Sequence, residues 1–377
     1  MKPDIWMPVR CLMDRALIDD VFPGAVLLVG GAEGVLFKRS FGVANRFTGE
    51  PVTLKTVFDL ASLTKPLATT LTILYLLEKG KLAIETSLGE MLREFRNTPK
   101  HTIQIRHLLY HTSGLPAHRE YYHDLARLPM AERKTALRRL LVKEPLIRAI
   151  GVAPEYSDLG FMILCWVIEE VTHERLDRFV SEKIYRPLGL ADLFFMDLMD
   201  PAIPKKDVLF AATECCPWRK ALMEGTVSDD NAWVTGGIDG HAGLFGTAED
   251  VYGLLKTLLS AYNGKMDTLF RPELVQAFFK RDAVSSRALG FDTPSLEGSS
   301  SGRLFSVNTV GHLGFTGTSF WMDLDRAIVA ILLTNRIHPS RNNNRIREFR
   351  PILHDAVMKT LLEGKGLHEE KSLDSGR

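Results

Sequence analysis

Residues Phe58 to Leu82 read FDLASLTKPLATTLTILYLLEKGKL, and the serine, lysine and proline near their start govern how the rest of the chain is read. Proline costs little in the first turn of a helix, where its missing N–H has no intrahelical partner, so Pro66 predicts a helix that begins just upstream of it. Ser62 and Lys65, three apart, then lie on one face of that start, beside backbone N–H groups that favour negative charge. A serine cap beside a solvated lysine is the plainer alternative. The other is a nucleophile with its activating partner, because a serine hydroxyl attacks well only when a base takes its proton.

Two more stretches bear on that choice. Residues 155–160 read EYSDLG and precede a strongly apolar helical run. A lysine cation stabilises a neighbouring phenolate, which fits Tyr156 for base chemistry, although a buried aromatic at a helix start is the ordinary alternative. Residues 311–321 read GHLGFTGTSFW, a glycine-punctuated stretch entering a strand. Glycines let backbone approach a ligand and edge N–H groups polarise a carbonyl; a tight hairpin is the alternative.

Around these stretches, residues 22–56 predict a hairpin, since VLFKRSFGV follows GGAEG as a strand rather than the helix a dinucleotide site needs. From Pro66 to about Phe195 apolar residues recur at helical spacing, and strands return in LFSVNTVGH, TSFWMDLD and AIVAILLTN before a last helix over about Arg347 to Leu362. The expected fold is α/β (α+β): an antiparallel sheet built from both ends of the chain, flanked by terminal helices, with a mainly helical region inserted. The expected boundaries are 1–65 with 230–364 for the sheet unit, 66–229 for the helical unit, and 365–377 for a disordered tail.

The chain has 377 residues, 45% hydrophobic and 25% charged, with a formal net charge of +1. That is globular composition without the basic footprint of a nucleic-acid binder. Apolar runs such as AVLLV from Ala25 fall far short of the roughly 18 residues of a membrane span. Charged residues interrupt the amino terminus before a signal-peptide core forms, and Cys11, Cys165, Cys215 and Cys216 lack metal-ligand spacing. A reduced, cytoplasmic protein is expected. His107 and His111 are four apart like zinc ligands, but no glutamate follows His107, so no metal is expected.

The three motifs in this order resemble the serine β-lactamase and penicillin-binding-protein superfamily, specifically its class C-like branch of β-lactamases, D-amino-acid peptidases and esterases. FPGAVLLV, HLLYHTSGLP and GHAGLFGTAEDV extend the resemblance from about Phe22 to Leu362. It implies a β-lactamase/transpeptidase-like fold, an acylated Ser62 with Lys65 as its partner, and Tyr156 as general base. The family's Lys-Thr-Gly motif falls on His312, Leu313 and Gly314, and Phe315 supplies the second oxyanion N–H beside that of Ser62. No cofactor is implied, and the implied substrate is a small molecule or a peptidoglycan-derived fragment. Arg341 to Arg345 precede the last helix where related enzymes bind a substrate carboxylate, with a solvated helix cap as the alternative. His241 faces the cleft or makes a structural hydrogen bond.

Two departures shape the functional expectation. Asp158 stands where the family has asparagine, and a carboxylate accepts from Lys65 but cannot donate to a substrate amide. His312 replaces a permanent cation with a group charged only in the lower part of the physiological pH range. Both point toward an ester, amide or peptide hydrolase that works through an acyl-enzyme. The alternatives are a true class C-like β-lactamase and a penicillin-binding sensor without turnover.

Overall fold

Ala25 to Val29 and Ile328 to Leu333 are apolar at every position, and such runs form strands covered on both faces. The structure, a computed structural model, describes residues 4–200 and 208–374, with side chains as far as residue 363. It holds strands β1 (Gly24–Gly31), β2 (Val35–Asn45), β3 (Glu50–Pro51), β4 (Phe58–Asp59), β5 (Leu193–Phe195), β6 (Cys215–Cys216), β7 (Ala221–Leu222), β8 (Leu244–Gly246), β9 (Thr309–Leu313), β10 (Ser319–Asp323) and β11 (Ile328–Thr334). The main sheet has the order β3-β2-β1-β11-β10-β9. β1 pairs antiparallel with β11, from Ala25 opposite Thr334 to Gly31 opposite Ile328, so the two ends of the chain meet at the sheet centre.

Alternation along these strands divides the core. Val26, Leu28, Ile331 and Leu333 face one side, where they join apolar residues of the helices Leu71–Glu78, Asp158–Thr172 and Ala248–Tyr262. Leu27, Val29, Ala330 and Leu332 face the other side, against Val9 and Met13 of the Met7–Ile18 helix and Leu353 and Val357 of the last helix. The antiparallel sheet flanked by terminal helices is therefore as expected. We propose the division at residues 65/66 and 229/230 as architectural only, because one apolar core runs without a break from Val26 through Leu71 and Phe161 to Ile331.

Several elements differ from the expectation. β4, β8 and β5 form a separate three-stranded sheet, too short for any periodicity to betray. Residues 304–308 turn before β9 starts at Thr309, where Ser306 and Asn308 donate to Asp323 and Asp325, 17 positions further on. The last helix runs over Ile346–Asp374, past the expected end at Leu362, and so takes in most of the expected tail; residues 375–377 lie outside the described residues. Good helix formers, Leu, Glu and Lys, outnumber the two glycines there. Among the described residues, no helix is long and apolar enough to cross a membrane.

Candidate active site

The chain enters Ser62 through a strained turn. Ala61 has φ +48°, in the left-handed region that a Cβ disfavours. Asp59 holds it there: its carboxylate accepts from the N–H of Ala61 at 2.9 Å and from that of Ser228 at 2.8 Å. Burial pushes the Asp59 carboxyl up to about 6 against those two donors. Thr316 and Thr318 donate through Oγ1 to the carbonyls of Asp59 and Leu60, at 2.8 and 3.2 Å, and so tie the β9–β10 loop to the same turn. A Cβ on Gly314 would lie 2.0 Å from Thr318 Oγ1 and 2.8 Å from Leu60 O, so only glycine permits that approach.

The helix expected just upstream of Pro66 has an irregular beginning. A 3₁₀ turn over Ala61–Leu63 leads into a π-helical stretch over Lys65–Thr70, and regular α-helix starts only at Leu71. Pro66 offers no N–H to the ladder, and Thr69 Oγ1 bonds outward to the Gly240 carbonyl at 2.7 Å.

Lys65 is fully buried, which removes the solvated-lysine alternative. Its Nζ donates to Ser62 Oγ at 3.0 Å and to the His241 carbonyl at 3.1 Å, and lies 2.7 Å from Asp158 Oδ1. Burial opposes its charge, but Asp158 and then Tyr156 outweigh that and hold Lys65 above the ordinary lysine value. Asp158 is likewise opposed by burial, yet Lys65, His118 and His241 keep it far below the usual carboxylate range.

Tyr156 sits between cations. Lys65 Nζ lies 5.0 Å and Arg287 Cζ 5.4 Å from its ring centroid, and the His111 ring packs on it at 4.5 Å. His111 Nδ1 accepts from the Ser157 N–H at 3.0 Å, and burial together with Arg287 and Lys65 holds it well below its ordinary pKa. His107 Nδ1 accepts from the Gln104 N–H at 3.1 Å. Both histidines of the considered zinc pair thus serve as backbone acceptors.

His312 corrects an expectation. Its ring is buried and Nδ1 donates to the Leu313 carbonyl at 2.9 Å; burial, with Lys65 and Arg287 nearby, pushes its pKa down to about 3. It is neutral across the whole physiological range, not charged in the lower part of it.

A cavity of about 330 Å³ opens over Ser62 and is lined also by Tyr156, Asp158, His118, Phe315 and Arg341. The Phe315 side chain is half exposed, with Arg336 at 5.0 Å and Arg341 at 6.0 Å from its ring centroid. Arg341 is ion-paired to Glu214 and, at 3.2 Å, to Asp230, while Arg219 also pairs with Asp230. His118 pairs with Asp158 at 3.4 Å. Glu214, Cys216 and Asp230 bring ligand atoms within 4.8 Å of one another, but these two guanidiniums already engage both carboxylates. Ser62, Tyr156, Asp158 and Phe315 thus line one cavity, Lys65 is fully buried against Ser62 and Asp158, His312 packs against Tyr156, and Gly314 precedes Phe315. His118, Asp229, Asp230, Glu214 and Arg287 join a site in which sequence reasoning had not placed them; only His118, two residues after HTSGLP, had a local signal.

His241 is buried and cationic. Its Nε2 donates to Asp229 at 2.9 Å and its Nδ1 lies 3.5 Å from Asp239. Burial works against the charge, but Asp229 and Asp239 outweigh it and raise the pKa to about 10. A histidine raised above its unfolded value of about 6.5 gives stability that is complete below that pH and lost as pH rises through about 10. The urea midpoint advantage of wild type over His241→Gln is therefore expected to be largest near pH 6 and to shrink steadily to pH 10. A difference that stays constant over that range would refute the assignment.

The sequence profile of the Beta-lactamase family matches residues 9–351. A protein of Escherichia coli O157:H7, provisionally named a D-alanyl-D-alanine carboxypeptidase, is 31% identical over 369 residues, covering 88% of this chain and 84% of that protein. Among solved structures, EstCE1, described as a hydrolase with promiscuous acyltransferase activity, is similar with a TM-score of 0.71 at 22% identity, over 92% of this chain and 98% of its own. An octameric penicillin-binding protein homologue from Pyrococcus abyssi has a TM-score of 0.68 at 19% identity, over 87% and 73% of the two chains. At these identities the two structures speak for the fold.

Proposed function

Because this chain belongs to the Beta-lactamase family, we propose that it is a serine hydrolase that acts through an acyl-enzyme on esters and amides whose reacting end carries no carboxylate. Ser62 Oγ attacks the carbonyl carbon while Tyr156 accepts its proton and passes it to the leaving alkoxide or amine. Lys65, held as a cation, orients Ser62 Oγ and offsets charge on Tyr156. The N–H groups of Ser62 and Phe315 receive the oxyanion. Water then attacks the acyl carbon, giving a proton to Tyr156; as the Ser62 Oγ–acyl bond breaks, Tyr156 passes that proton to Ser62 Oγ, the acid product leaves, and the enzyme is restored.

One observation carries the substrate preference: the cations lining the cavity are already paired. His118 faces Asp158, and Arg341 faces Glu214 and Asp230. Asp229 adds a further carboxylate to the lining, and His312 is neutral. A substrate carboxylate beside the scissile bond would lose hydration and find no free counter-charge among the described residues. A D-alanyl-D-alanine carboxypeptidase is the second reading, favoured by the relative at 31% identity. The four cysteines are unpaired, two of them exposed, which supports a reducing cytoplasm as the location.

The test is a substrate panel of short-chain esters, D-amino-acid amides, a D-alanyl-D-alanine peptide and a cephalosporin. Esters should lead in kcat/KM; equal or better turnover of the carboxylate-ended peptide would replace this reading by the second. His312→Lys adds a cation that a substrate carboxylate can pair with, since Asp158 is already engaged by Lys65 and His118. It is expected to speed acylation by a penicillin roughly tenfold, the worth of one charged hydrogen bond, and to do so by more than it changes ester hydrolysis. Stopped-flow acylation rates measure both, and an equal effect on the two would sink the charge argument.

A further inference from the structure

Two guanidiniums lie behind the β9–β10 loop with no carboxylate among the described residues to balance them. Arg336 is 6% and Arg350 5% exposed. Among the described residues the charges acting on them are other arginines, and burial followed by those arginines lowers Arg336 to about 10 and Arg350 to about 9. Both remain cations at neutral pH. Burying such a group without a partner charge is unfavourable unless hydrogen bonds satisfy it.

Arg336 Nη1 donates to the carbonyls of Arg341 and Asn343 and to Asn344 Oδ1, ahead of the last helix. The remaining side-chain bonds of the two arginines go to carbonyls of the β9–β10 loop. Arg350 Nη2 donates to the carbonyls of Thr318 at 2.9 Å and Gly314 at 3.4 Å. Arg336 Nε donates to the Phe315 carbonyl at 3.0 Å, and its backbone N–H to that of Thr316, also at 3.0 Å. The carbonyl of Gly314 and the N–H of Phe315 belong to one peptide group and are trans to each other. The Gly314 oxygen, held by the Gly317 N–H at 3.0 Å and on its other side by Arg350, therefore turns the Phe315 N–H the opposite way, and Phe315 lines the cavity over Ser62. A cation at the oxygen end also polarises the peptide and makes its N–H a stronger donor where water is scarce.

We propose that Arg350, assisted by Arg336, is a positioning residue that aims and polarises the Gly314–Phe315 peptide as the oxyanion donor. This rests on the acyl-enzyme reading above. Removing an oxyanion donor outright costs about 10²–10³-fold in kcat, so weakening one through a neighbour should cost about 10–100-fold.

The test compares wild type with Arg350→Met and Arg350→Lys on a short-chain ester, together with the infrared carbonyl stretch of the ¹³C-labelled acyl-enzyme. Arg350→Met should lose about 10–100-fold in kcat with KM within about threefold, and Arg350→Lys should recover part of that loss. The acyl stretch should move to higher wavenumber in step with kcat, because a weaker hydrogen bond leaves more C=O character. A folded variant with an unshifted stretch overturns the proposal, whatever its kcat, since a purely structural role would leave the bound carbonyl unchanged. Where Arg350→Met yields no soluble protein, the stretch in Arg350→Lys decides in the same way. Failure of the underlying reading is recognised separately: Ser62→Ala would still be labelled by a fluorophosphonate.

Discussion

Ser62→Ala is expected to take up no fluorophosphonate label and to lose on the order of 10⁶-fold in ester turnover, the scale of removing the nucleophile from a serine hydrolase. The fold should tolerate the change. Lys65 keeps its bonds to Asp158 and the His241 carbonyl, and Asp59 still holds the strained Ala61 turn, so no buried charge is left alone. Stability should therefore change by about 1 kcal/mol or less. Intact mass resolves the outcome: wild type gains one adduct and the variant gains none. Labelling of the variant at the wild-type rate would show that another residue is the nucleophile.

Tyr156→Phe separates the two candidate bases. The ring remains packed on His111 and beneath Lys65 and Arg287, so only the oxygen is lost. General-base catalysis is worth about 10²–10⁴-fold, and kcat should fall by that amount with the melting temperature nearly unchanged. Lys65 cannot readily take over. It is surrounded by Asp158, the His241 carbonyl and Tyr156, all of which favour its charged form, and a protonated lysine has no lone pair to receive the serine proton. Near-normal kcat in Tyr156→Phe would transfer the base role to Lys65 nonetheless.

The sequence made the centre of this site legible because short-range rules govern it. Proline marks a helical entry, though an irregular one that becomes regular α-helix only at Leu71, and a spacing of three still brings Lys65 Nζ to 3.0 Å from Ser62 Oγ. What it hid depends on contacts distant along the chain or on surroundings that no local pattern encodes. Alanine at 61 gives no warning of a left-handed backbone, since glycine is the residue that usually marks one. Arg341 was read as a carboxylate-binding candidate, yet its partner Glu214 lies 127 positions away and Asp230 lies 111, and with them its charge is already committed. The protonation state of His312 follows from burial beside Lys65 and Arg287, which the substitution of histidine for lysine could not reveal.

The pairing of β1 with β11 has a consequence for biosynthesis. The strand that leads toward Ser62 finds its central partner more than 300 residues later, from Ala25 to Thr334, so the middle of the sheet cannot close until nearly the whole polypeptide has left the ribosome. Loop closure over that distance is slow compared with helix formation, and the nascent chain meanwhile carries the wholly apolar AVLLV segment with one ladder edge unpaired. Such an edge is a template for pairing with other chains until β11 arrives.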